Sequence, residues 1–147
     1  LPLVVVGDGP ELEFLRERAR GNVTLVGKVS DQEIVNYYAR CRAFIMPQEE
    51  DFGIAPLEAQ ACGRPVIAFR AGGALETVRE NETGLFFDEQ SSQALMEAVQ
   101  RFDTMQFRPE ACRAQAERFS IDRFRRRLGE YVARRWEEHQ ASLATRG

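Results

Sequence analysis

A chain of 147 residues with 44% hydrophobic residues and a formal net charge of −3 has the size of one globular domain, with room for a core and no basic footprint for nucleic acid. Its one histidine, His139, lies in a polar tail, and its three cysteines, Cys41, Cys62 and Cys112, are far apart. A histidine-centred catalytic or metal site and a disulfide framework are therefore excluded as organising features. The absence of an apolar run of about 18 residues and of a signal sequence leads us to expect a soluble, cytoplasmic domain with buried thiols in a reducing compartment.

Leu3 to Val6 reads as a strand that runs into the tight turn Gly7-Asp8-Gly9-Pro10, and Pro10 can open a helix with Leu12, Leu15 and Ala19 on one face. Asn22 to Val26 is the next strand, and Asp31 serves as N-cap for a helix through Ile34, Val35 and Tyr38 to about Arg40. Ala43 to Met46 is a short strand feeding the acidic run Glu49-Glu50-Asp51. Gly53 and Pro56 then mark the start of a helix from about Ile54 to Cys62, which Gly63 ends. Val66 to Phe69 has no polar alternation, which fits a strand covered on both faces.

After Gly72-Gly73 the pattern gives a short helix from Ala74 to Arg79, a turn at Asn81 to Gly84 and a strand at Leu85 to Phe87. Ser91 or Ser92 caps a helix carrying Leu95, Ala98, Val99 and Phe102. The remainder is helical, from Pro109 to about Arg118 and, after a Ser120 cap, from Ile121 to near Glu138, with a frayed tail beyond. The last helix bears an apolar stripe of Ile121, Phe124, Leu128, Tyr131, Val132 and Trp136 among many arginines. The stripe is longer than a small sheet needs, so part of it is expected to remain exposed. Strands alternating with helices predict an α/β domain with a doubly wound parallel sheet.

The chemistry concentrates between Glu49 and Ala68. Two glutamates, Glu50 and Glu58, flank Phe52-Gly53, and the run EAQACGRPV follows, then GGALE from Gly72 to Glu76. In this order, with VVVGDGPE, VTLVGKVSDQEI and TGLFF around them, these segments resemble the C-terminal, donor-binding domain of family 4 (group 1) glycosyltransferases of the GT-B fold, over nearly the whole chain. The resemblance implies a Rossmann-like single domain over residues 1–147, with a C-terminal helical extension. It also implies a preceding strand-helix unit that carries a basic pair for the donor diphosphate, and before that an acceptor-binding domain. Without them, the 147-residue chain is expected not to catalyse. The implied parent enzyme is a retaining glycosyltransferase that needs no cofactor and no metal. It takes a nucleoside-diphosphate sugar, with GDP-mannose the first choice from the EEDFGIAPLEAQACG and FRAGGALETV forms, and a glycan or lipid-linked acceptor. The expected location is the cytoplasm, where the arginine-rich last helix reads as a solvated face, with peripheral contact to an anionic surface at the inner face of the membrane as the alternative.

A carboxylate can accept hydrogen bonds from both hydroxyls of a ribose, a role that suits Glu58, although a glutamate near a helix start also simply complements the helix dipole. In the resemblance Glu58 takes the ribose, and Glu50 contacts the sugar near the reacting carbon and acts as the catalytic group. Phe52, Gly53 and Ile54 offer amides at a helix N-terminus for phosphate or sugar oxygens. Gly27, Lys28 and Val29 follow a parallel strand, where such folds bind a base or merely turn the chain. Gly72 and Gly73 either direct amides at the phosphates or turn the chain. Lys28, Arg64 and Arg70 are the local cations for the diphosphate. Two rivals remain at this point: a sugar-nucleotide epimerase of the same fold, which needs histidines that the chain lacks, and a non-catalytic nucleotide-binding module, which leaves the paired glutamates unexplained.

Overall fold

A computed structural model describes residues 1–144. The described residues form five strands and seven helices in the order β1 (Leu3–Val6), α1 (Leu12–Arg18), β2 (Val23–Gly27), α2 (Asp31–Arg40), β3 (Phe44–Met46), α3 (Ile54–Ala61), β4 (Val66–Phe69), α4 (Ala74–Thr77), β5 (Gly84–Phe87), α5 (Ser92–Asp103), α6 (Pro109–Glu117) and α7 (Ile121–Ala144). Every strand pair is parallel, as the strand-helix alternation predicts.

The strands do not form one hydrogen-bonded sheet. β1 pairs with β2, and separately β3, β4 and β5 pair in that order. In the second sheet β4 is central, and its alternating side chains feed two cores. Val66 and Ala68 pack with Met46, Ala74, Val78 and Phe86 on one face, and Ile67 packs with Leu85, Phe87, Ala98 and Phe102 on the other. Helices α3 and α4 therefore cover one side and α5 the other, which is the doubly wound arrangement. The parallel strands thus fall into two hydrogen-bonded groups, and the first is less covered than the second. Leu3, Val4 and Val5 of β1 are 41%, 46% and 37% exposed, because β1 has a single strand neighbour.

Several boundaries move by a residue or more. Ser30, not Asp31, caps α2: its hydroxyl accepts from the Glu33 amide at 3.4 Å while Glu33 Oε2 accepts from the Ser30 amide at 2.9 Å, a capping box that outcompetes the neighbouring aspartate. The predicted helix after Gly73 stops at Thr77, two residues short of Arg79. Ser91 is the cap of α5, accepting from the Ala94 amide at 3.1 Å. The Ser120 hydroxyl is buried and makes no hydrogen bond, although its carbonyl accepts from the Phe124 amide at 2.9 Å.

The last helix runs past the predicted end near Glu138 to Ala144, and Phe124, Leu128, Val132 and Trp136 are all exposed, as the length of their stripe led us to expect. All three cysteines are free thiols, but only Cys112 is fully buried. No helix among the described residues is long and apolar enough to cross a membrane.

Candidate functional site

The acidic loop lies where the chain leaves β3 and turns into α3. Gly53 is the N-cap of α3 with φ of 80°, a conformation that favours glycine, and a Cβ there would also sit tightly against the Met46 methyl at 3.0 Å and the Pro56 ring at 3.2 Å. Helix geometry leaves the amides of Ile54 and Ala55 without intrahelical acceptors, and Pro56 in the third position has no amide to satisfy. The loop from Glu49 to Ala55 lines an open depression of about 650 Å³.

The second motif closes on the first through backbone. The Gly73 amide donates to the Glu50 carbonyl at 2.7 Å. A Cβ on Gly72 would stand 2.2 Å from that same carbonyl oxygen, and one on Gly73 would stand 2.2 Å from the Phe52 carbonyl oxygen. The glycine pair thus lets two loops touch, and its Gly73 amide is engaged in that contact.

Behind the pair, α4 is anchored by buried glutamines. The Thr77 carbonyl accepts from Gln60 Nε2 at 3.0 Å and from Gln115 Nε2 at 3.2 Å, and the Thr77 hydroxyl donates to the Gly73 carbonyl at 2.9 Å. On the other flank the Phe52 ring meets Phe119 edge to face at 5.9 Å.

The two glutamates have different surroundings. Glu50 lines the depression, and its Oε1 accepts from Gln48 Nε2 at 2.6 Å, which fixes one oxygen and leaves the other to solvent. Glu58 sits one turn into α3, outside the depression's lining, and is exposed to solvent, yet its Oε2 accepts from the Tyr38 hydroxyl of α2 at 3.0 Å. Burial and the Glu58 carboxylate push the Tyr38 phenol well above its ordinary range, so it stays protonated and acts as a donor.

The structure therefore assembles Glu50, Phe52, Gly53, Ile54, Gly72 and Gly73 into one place, with Glu58 on the adjoining turn. Gly27, Lys28 and Val29 lie elsewhere, at the end of β2 in the first sheet, where Gly27 is buried with φ of 72° and its carbonyl accepts from the Gly7 amide at 2.9 Å. Two of the three cations expected at the diphosphate are engaged. Arg64 donates to the Ala39 carbonyl of α2, and Arg70 grips Glu80 through two nitrogens at 2.7 and 3.0 Å and Asp88 at 2.6 Å. Among the described residues no basic side chain lines the depression.

Among the described residues no cluster of His, Cys, Asp or Glu is arranged to hold a metal ion, and His139 lies far along α7 beside Trp136. Tyr38, Gln60, Thr77 and Gln115 are the supporting residues that sequence reasoning missed. For Tyr38 the signal was a hydroxyl inside an otherwise apolar stripe, since a buried phenol needs a partner.

Known proteins resemble this chain in sequence and in fold. A GDP-mannose-dependent alpha-(1-6)-phosphatidylinositol monomannoside mannosyltransferase of Mycobacterium tuberculosis is 42% identical over 110 residues, covering 66% of this chain and 29% of that protein. A GDP-mannose-dependent alpha-mannosyltransferase of Corynebacterium glutamicum is 39% identical over 89 residues, covering 60% of this chain and 21% of its own length. The chain thus spans less than a third of the length of these relatives. The crystal structure of Anabaena HepE in complex with UDP and glucose superposes with a TM-score of 0.69 at 26% identity, over 90% of this chain and 40% of that one. The family model described as glycosyl transferases group 1 matches residues 1–119, and with most of its length so matched the chain belongs to that family.

Proposed function

We propose that the chain is the donor-binding domain of a retaining glycosyltransferase, holding a nucleoside-diphosphate sugar, GDP-mannose first, for transfer to a glycan or lipid-linked acceptor. The observation that carries this reading is the backbone contact that fixes the loop bearing Glu50 against Gly72 and Gly73, with Glu58 one turn further on. The names of both relatives specify GDP-mannose, which supports the choice of donor, and one names a phosphatidylinositol monomannoside, which supports a lipid-linked acceptor.

In this reading Glu58 accepts hydrogen bonds from the ribose diol, and the amides of Ile54 and Ala55 meet phosphate or sugar oxygens. Glu50 contacts the sugar beside the reacting carbon, where its charge favours a developing oxocarbenium ion. No metal takes part. The diphosphate finds no cation in the lined depression, so its charge is met by groups of the parent protein beyond those assembled here, which also supply the acceptor-binding domain. The exposed first strand is the edge that a further strand of that parent would cover.

The test separates the glutamates in the full-length enzyme. Glu50→Gln is expected to lower kcat by about 100-fold, about 3 kcal/mol, with nucleoside-diphosphate affinity nearly intact. Glu58→Gln is expected to raise donor KM far more than it lowers kcat, because an interaction equal in ground and transition states leaves the chemical step alone. Equal loss of nucleotide affinity in both variants, or full activity in either, would overturn the assignment.

A further inference from the structure

Glu58 stands on α3 but is held from α2. Tyr38 is 6% exposed, its ring packs edge to face on Phe44 at 5.7 Å, and its hydroxyl donates to Glu58 Oε2 at 3.0 Å. α2 is itself fixed at both ends. The Ser30–Glu33 capping box closes its start, and near its end the Ala39 carbonyl accepts from Arg64, just beyond the end of α3. The phenol is thereby held by its packing on Phe44, on a helix latched to the chain just beyond α3.

An exposed glutamate samples many rotamers, and ordering it on binding costs side-chain entropy. A buried donor on one oxygen removes most of that freedom in advance, while the other oxygen and the remaining lone pair face solvent. We propose that Tyr38 is a positioning residue, which pins one oxygen of Glu58 so that the carboxylate is already oriented for the vicinal diol of an incoming nucleotide. The proposal rests on the reading of Glu58 as the ribose ligand.

The experiment uses the full-length enzyme and compares GDP, UDP and ADP, each with its 2′,3′-dideoxy counterpart, by calorimetry, taking forward the base that binds tightest. Wild type should prefer the ribonucleotide. Tyr38→Phe, which keeps the ring and removes only the hydroxyl, should cut that preference by about 5- to 20-fold, raise donor KM to match and leave kcat within about twofold. In a Glu58→Gln background the same change should add less than about twofold, because its effect passes through the carboxylate. Phe44→Leu, which loosens the packing of the ring without touching the hydroxyl, should leave the preference closer to wild type than Tyr38→Phe does.

If Tyr38→Phe weakens ribo- and dideoxynucleotides equally, the residue is merely structural and the proposal is wrong. If Glu58→Gln abolishes the preference while Tyr38→Phe leaves it untouched, the positioning role alone falls. If Glu58→Gln itself leaves the preference unchanged, the ribose assignment falls and takes this inference with it.

Discussion

β1 and β4 are both four-residue apolar strands, LVVV and VIAF, and they end in opposite states. Val66, Ile67 and Ala68 of β4 are at most 2% exposed, whereas Leu3, Val4 and Val5 are each more than a third exposed. The strands differ in neighbours, not in composition. β4 has β3 and β5 on its edges and helices over both faces, while β1 has only β2. An apolar strand is a demand for cover, and the fold meets that demand fully only in the half that carries the site.

The sharpest way to break this comparison is to truncate one side chain in each strand of the 147-residue chain and follow urea unfolding. Ile67→Ala empties part of a closed core and is expected to cost about 3 to 4 kcal/mol, where Val4→Ala is expected to cost less than about 1 kcal/mol. Similar losses at the two positions would mean that β1 is covered in solution and that the contrast is wrong.

Glycines offer the next test. A Cβ on Gly73 would meet the Phe52 carbonyl oxygen at 2.2 Å, with backbone on both sides, whereas a Cβ on Gly9 in the first half would meet nothing within 4 Å. Gly73 has φ of −63°, so alanine there is opposed by space alone. Gly73→Ala is expected to cost about 2 to 3 kcal/mol and to weaken nucleotide binding, because the loops must part at Glu50 and Phe52. Gly9→Ala is expected to stay within about 0.5 kcal/mol of wild type. An unfolding midpoint for Gly73→Ala equal to that of wild type would show that the two loops are not locked together.

The same contrast explains what could be read in the chain without its structure. Element order was legible because Gly53, Gly63, Gly72 and Pro109 punctuate it, and because β4 and α5 carry unambiguous periodicity. The glutamate-bearing loop and the glycine pair were linked only through the family resemblance, and their backbone contact was not legible in the sequence. The division of the sheet was not, since residue pattern reports that β1 is apolar and says nothing of which strand lies on its free edge. Ser30 as the cap was legible too, since Ser30 followed three residues later by Glu33 is the capping-box pattern, and reading Asp31 instead overlooked Glu33 reaching back. The bond from Tyr38 to Glu58 joins residues 20 apart on different helices, beyond any periodicity. The partners of Arg64 and Arg70 were illegible for the related reason that folding brings them in from distant parts of the chain.

The smallest effect lies on the surface of the packed half. Arg70 lies over the Phe86 ring at 4.6 Å and grips Glu80 with two nitrogens, while in the first half Arg16 meets Glu13 through a single contact at 2.6 Å. The bidentate hydrogen bonds from Arg70 hold the Glu80 carboxyl below its ordinary value of 4.5. A depressed carboxylate contributes stability that is present above the unfolded value and lost as pH falls through the folded one. Glu80→Gln should therefore cost something at pH 7, though less than about 1 kcal/mol because the pair is partly exposed and screened. As pH falls below 4.5 the gap between wild type and variant should close, since wild type alone must take up the proton. Unfolding midpoints measured from pH 7 down to about pH 3 would decide it, and a gap that stays constant over that range would mean that the Arg70 pair adds nothing to the packed half beyond its shape.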